Sequence, residues 1–136
     1  MIGVIISTHG KLAQELIRTA EGVVGPLPQT QALEVAMGGD ARAELRRAVI
    51  AVNQGGGVVL LTDLLGGSTT NICLSLLAEE NVEVVTGVNL PMLLKLNPLR
   101  ARVANAAELA RELAAVGQKS IIDASDLVRE RKPGLP

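Results

Sequence analysis

Val58-Val59-Leu60-Leu61-Thr62-Asp63-Leu64-Leu65-Gly66-Gly67-Ser68, residues 58 to 68, decides the fold. The stretch up to Thr62 is short, β-branched or aliphatic throughout, and shows no polar alternation. Such a run suits a strand buried on both faces of a parallel sheet. Gly55-Gly56-Gly57 breaks the chain before it, and Asp63 to Ser68 follows as a glycine-containing loop. Ser68 is placed to cap a helix over Thr69 to Ala78.

Toward the N-terminus, Gly3 to Ser7 is a second buried run of the same kind. Lys11 to Val24 carries Leu12, Leu16, Ile17, Ala20, Val23 and Val24 at helical spacing, and Gly25-Pro26 ends it. Gln31 to Val35 reads as a weaker strand, and Met37-Gly38-Gly39-Asp40 as a loop whose Asp40 suits an N-cap. The helix that follows runs to about Asn53, with Leu45, Ala48, Val49 and Val52 on one face. Toward the C-terminus, Val82 to Thr86 is a fourth strand, and Leu90 to Leu96 and Ala104 to Val116 are helices. Ser120-Ile121-Ile122 is a last short strand, and the charged, proline-containing Val128 to Pro136 is expected to fray. Strand and helix alternate, which predicts a three-layer α/β/α sandwich around a mainly parallel sheet. No linker, repeat or low-complexity segment divides it.

The 136 residues suit one domain, and 48% of them are apolar, enough for a sizeable core. That core has no Phe, Tyr or Trp and must be built from Leu, Val, Ile, Ala and Met. Without aromatic platforms, base stacking on single-stranded nucleic acid is not expected. Thirteen Lys and Arg against 14 Asp and Glu leave no basic footprint for DNA or RNA either. Cys73 is the only cysteine and His9 the only histidine, so no intramolecular disulfide forms and no metal site or cofactor is expected. The apolar N-terminal run is too short for a secretory signal or a membrane span, which predicts a cytoplasmic protein. A mean hydropathy of +0.34 is compatible with an oligomer interface.

Two polar clusters fall at the carboxyl ends of strands, where open α/β sheets form their sites: Thr8-His9-Gly10 and Asp63 to Ser68. His9 by itself is compatible with a surface or capping role. Its place between a buried strand and a helix, with Gly10 free to turn sharply and leave the ring open, favours a nucleophile. A neutral imidazole can attack phosphorus and later depart from it. Phosphoryl transfer then asks for in-line positioning and for charge stabilisation on the equatorial oxygens. Asp63, at the end of the strand next to the first, could accept a hydrogen bond from one ring nitrogen and free the other to attack; otherwise it simply opens a loop. Gly66, Gly67 and Ser68 could turn backbone amides toward an anion at a helix start, although the same triplet is common turn chemistry. No nucleotide P-loop pattern is present. Cys73 reads as inert core, and Lys95, Arg100 and Arg102 as solvated surface. Asn89-Leu90-Pro91-Met92 is either a helix start, with Pro91 in the first turn, or part of the wall of the site.

Ile5-Ile6-Ser7-Thr8-His9-Gly10, Leu61-Thr62-Asp63-Leu64-Leu65-Gly66-Gly67-Ser68-Thr69-Thr70-Asn71 and Thr86-Gly87-Val88-Asn89-Leu90-Pro91-Met92-Leu93 together resemble, in order and spacing, the IIA component of the mannose-family sugar phosphotransferase system (PTS). The likeness spans roughly residues 1 to 123, leaving 124 to 136 as a C-terminal tail. It implies a phosphotransferase in which His9 is phosphorylated, Asp63 hydrogen-bonds that histidine, and Gly67 and Ser68 help hold the phosphoryl group. The donor would be the histidine-containing phosphocarrier protein HPr. The acceptor would be a IIB domain that phosphorylates sugar entering through the membrane IIC and IID components. The resemblance also implies a homodimer exchanging a C-terminal antiparallel strand, here Ser120 to Asp123, beside a sheet of order 2-1-3-4. Thr69 stands where the family often has proline, and Leu64 and Leu65 stand where many members carry an aromatic; neither removes a named functional group. Because the chain ends soon after the IIA-like region, no fused IIB domain is expected. Three other readings stand beside this one. They are a regulatory module whose partner binding depends on His9 phosphorylation, the phosphotransfer subunit of a dihydroxyacetone kinase, and a binding domain with an incidental histidine.

Overall fold

The computed structural model describes residues 1–34, 40–78 and 81–130. Strands β1 (Gly3–Ser7), β2 (Thr30–Leu33), β3 (Val58–Thr62) and β4 (Val82–Val85) form one sheet in the order β2-β1-β3-β4. Every pairing is parallel, with Ser7 opposite Leu33 on one side and Thr62 on the other. Parallel neighbours require crossovers. The crossover helices are α1 (Leu12–Val24), α2 (Ala41–Val52) and α3 (Ser68–Leu74). Beyond β4 come α4 (Leu90–Leu94), α5 (Leu96–Arg102), α6 (Ala106–Lys119) and α7 (Ala124–Glu130).

The uniform apolar character of β1 and β3 has a simple consequence. Successive side chains point to opposite faces, so a strand without alternation feeds two cores. Val4, Ile6, Val59 and Leu61 pack with Ala13, Ala20, Met92, Leu93, Leu96, Leu109 and Leu113 from α1, α4, α5 and α6. Ile5, Val58 and Leu60 pack on the other face with Leu45, Val49, Val52 and Cys73 from α2 and α3. Aliphatic side chains fill both layers.

Several expectations shift. The second strand starts at Thr30, one residue early, and Val35 with Met37, Gly38 and Gly39 lies outside the described residues. Asp40 does cap α2, its side chain accepting from the Ala43 amide at 3.2 Å. Gly67 rather than Ser68 is the cap position of α3, and the helix ends at Leu74. Leu96–Arg102 is helical, since Pro98 falls in the first turn of α5, where its missing N–H costs little. Ser120–Asp123 forms no strand within the chain, where Ile121 and Ile122 are 80% and 61% exposed. A strand needs a hydrogen-bonding neighbour, and no described strand pairs with this segment. It leads instead into α7, which buries none of its residues. The tail from Arg131 to Pro136 lies outside the described residues. No described helix is long and apolar enough to cross a membrane.

Arg100 is the other correction. It is 7% exposed, and burial pushes its guanidinium down to about 10. Nη1 donates to the carbonyls of Ile2 at 3.2 Å and Gln29 at 3.4 Å, and Nη2 donates to Asn97 Oδ1 at 2.8 Å. The charge therefore ties α5 to the starts of β1 and β2, on the sheet edge away from Thr62 and Asp63. Arg100→Ala strips these acceptors of a charged donor and opens a void. The expected cost is about 1–3 kcal/mol, read as a lower urea midpoint. An unchanged midpoint would show that the tether carries no stability.

Candidate functional site

The carboxyl ends of β1 and β3 are neighbours, so the chain segments that leave them share one edge of the sheet. After Ser7 the backbone turns at Gly10, whose φ of +54° is a conformation that L side chains rarely adopt. Thr8 fixes this turn. Its hydroxyl accepts from the Ala13 amide at 2.8 Å and donates to the His9 carbonyl at 3.3 Å, supplying the side-chain cap that Lys11 does not. Thr8 is 4% exposed, while the His9 side chain it presents is 57% exposed. The signal was a hydroxyl residue just ahead of a helix.

Asp63 follows β3 and faces His9. Its Oδ2 accepts from the His9 backbone amide at 3.0 Å and stands 2.7 Å from the ring Nδ1. Burial alone would raise the Asp63 carboxyl, but hydrogen bonds from the His9 amide and ring, with the charge of the ring, bring it below its ordinary value of 3.8. It is therefore ionised at neutral pH. An ionised carboxylate only accepts, so Nδ1 carries the proton and a neutral ring keeps its lone pair on Nε2. The second carboxylate oxygen, Oδ1, is buried without a hydrogen-bond partner. The whole attachment runs through one oxygen.

The Gly66–Ser68 segment passes along the other side of the ring. A Cβ placed on Gly67 would lie 3.2 Å from His9 Cε1 and 3.8 Å from Nε2. Gly67 thus lets the backbone come within contact of the free nitrogen. Of the five residues singled out in the sequence, Asp63 and Gly67 stand directly beside His9. Leu64 and Leu65 border the site and are 48% and 74% exposed. The backbone leading to Asn89 starts at the end of β3, where the Val88 amide donates to the Thr62 carbonyl at 2.9 Å, but Asn89 itself serves the helices. Its side chain accepts from the Met92 amide at 3.3 Å and donates to Gly117 O and Ser120 Oγ, each at 3.2 Å, so it caps α4 and ties it to α6. Cys73 is fully buried and its thiol is pushed up to about 12 by burial, which makes it core.

An exposed imidazole with one nitrogen protonated and anchored, the other free, and a glycine backbone alongside can accept and release an electrophile. No described group of His, Cys, Asp or Glu is arranged to hold a metal ion.

The family model described as the PTS system fructose IIA component matches residues 3–114. Over 98 residues the chain is 32% identical to the PTS system mannose-specific EIIAB component of Escherichia coli, covering 69% of this chain and 30% of that longer protein. It is 30% identical over 124 residues to the PTS system fructose-specific EIIA component of Bacillus subtilis, covering 88% of this chain and 84% of that one. Among solved structures, phosphotransferase system component EIIA from Streptococcus agalactiae superposes with a TM-score of 0.82 at 27% identity, over 93% of this chain and 99% of that one.

Proposed function

The chain belongs to the PTS fructose IIA component family, and on that premise we propose that it carries a phosphoryl group on Nε2 of His9. The observation that carries this reading is the 2.7 Å contact between Nδ1 and Asp63, which places the proton of a neutral ring on Nδ1 and leaves the Nε2 lone pair available on a ring that is 57% exposed. The Nε2 lone pair attacks the phosphorus of a phosphohistidine donor. A nitrogen–phosphorus bond forms on His9 as the one on the donor breaks, and the donor imidazole leaves with its electron pair. Positive charge that builds on the His9 ring is offset by Asp63 beside the Nδ1 proton. The backbone of Gly66, Gly67 and Ser68 receives the equatorial oxygens. The reverse step passes the group onward.

In this reading HPr is the donor and a histidine on a IIB domain the acceptor, with sugar phosphorylated during uptake through IIC and IID. The protein acts in the cytoplasm as a homodimer. The exposed Ile121 and Ile122 fit the exchanged strand, because β-branched residues favour pairing once a second subunit supplies an edge. The test is incubation with phosphoenolpyruvate and the general phosphotransferase proteins, with label followed through acid and base. An acid-labile, base-stable label is expected. No label, or one that survives acid, overturns the proposal.

Gly67→Ala probes the phosphoryl-binding role. The backbone at Gly67, with φ −75° and ψ 159°, suits any residue, so only the new Cβ matters. At 3.2 Å from Cε1 it crowds a ring that Asp63 holds in place. Labelling should slow on the order of tenfold with little change in stability. An unchanged rate would place the incoming phosphoryl group away from this loop.

A further inference from the structure

Asp63 lies between two residues that a single buried hydroxyl holds. Thr62 and Thr70 are both 0% exposed, and their hydroxyl oxygens are 2.8 Å apart. Thr70 Oγ1 also donates to the Leu64 carbonyl in a short hydrogen bond. Leu64 O can only accept, so the one proton of Thr70 goes there, and the Thr62 hydroxyl supplies the proton between the two side chains. The chain Thr62–Thr70–Leu64 therefore grips the residue before Asp63 and the residue after it. The grip comes from the first turn of α3, the helix on which the glycine loop ends.

We propose that Thr70, acting with Thr62, is a positioning residue for the Asp63–His9 pair. The need is evident in the geometry. Asp63 reaches His9 through Oδ2 alone, while Oδ1 has no hydrogen-bond partner. A carboxylate attached through one oxygen is oriented by its backbone, and that backbone opens directly into the exposed Leu64 and Leu65. The buried threonines fix the Cα frame on either side. This holds Oδ2 against the backbone amide and the ring Nδ1 of His9 and keeps a neutral ring in the tautomer with Nε2 free. The inference rests on the phosphoryl-carrier reading for its functional consequence, though not for its effect on the ring.

The test pairs Thr62→Val with Thr70→Val. Removing both hydroxyls leaves no stranded donor between them and keeps the shapes; only the Leu64 carbonyl loses its donor, so a modest loss of stability with the fold retained is expected. Nitrogen NMR then reads the ring without ambiguity, since His9 is the only histidine. The parent should show one neutral tautomer, protonated on Nδ1, and the double variant a mixture. The phosphoryl labelling rate should fall about tenfold in the double variant and in Thr70→Val, and recover in Thr70→Ser. If the double variant does not fold, the Thr70→Val and Thr70→Ser pair makes the same comparison. A single tautomer and a parental rate without the Thr70 hydroxyl would overturn the proposal. A parent that takes no label would count against the carrier reading instead, and the tautomer comparison would still decide the role of Thr70.

Discussion

Replacing His9 with alanine is expected to abolish phosphoryl labelling and to leave the fold in place. No other imidazole exists in the chain to take the group, and Cys73, the one thiol, is fully buried. The structural cost is small for a specific reason. Asp63 keeps the His9 backbone amide, 3.0 Å from Oδ2, when the ring is gone. The turn is held by Thr8 and Gly10, neither of which the substitution touches. Labelling should drop to background while the thermal midpoint stays close to the parent. Label retained at the parental level would place the reaction on another residue.

Asp63→Asn has the second largest expected effect. An asparagine fills the same space, but it brings no charge to offset the ring, and its NH₂ can donate to Nδ1. Donation there favours the tautomer with the proton on Nε2, which cannot attack. The rate should fall by at least about a hundredfold, with structure retained. A loss below about threefold would reduce Asp63 to a loop residue. The same variant carries a pH signature. The folded carboxyl of Asp63 sits below 3.8, so the stability it adds is present above that value and is lost as pH falls through the folded one. Melts from about pH 6 to about pH 2 should therefore show parent and Asp63→Asn converging in acid. A gap independent of pH would contradict the depressed carboxyl.

The sheet was legible because its central strands obey one rule: Gly3–Ser7 and Val58–Thr62 are apolar on both faces and are found with those boundaries. The site was legible to the extent that strand adjacency brings His9 and Asp63 together. What escaped depends on groups that sequence does not pair. Arg100 reads as a surface cation, but its acceptors are two backbone carbonyls and an asparagine distant from any charge pattern. Thr62 and Thr70 look like a strand end and a helix position; only the fold puts their hydroxyls in contact. The α3 cap moved to Gly67 because that residue has the extended backbone that precedes the first helical turn. Ile121 and Ile122 have strand chemistry without a strand partner among the described residues. Downstream, Asp123 accepts from the Asp126 amide at 3.1 Å and starts α7, a cap signal that the β-branched pair beside it obscured.

The central claim is that Nε2 of His9 carries the phosphoryl group while Nδ1 stays protonated against Asp63. Phosphorus and nitrogen NMR of the phosphorylated protein tests it most directly, because the coupling pattern identifies the bonded nitrogen. Phosphorus on Nε2 and a proton retained on Nδ1 are expected. Phosphorus on Nδ1, or on any residue other than His9, would contradict it.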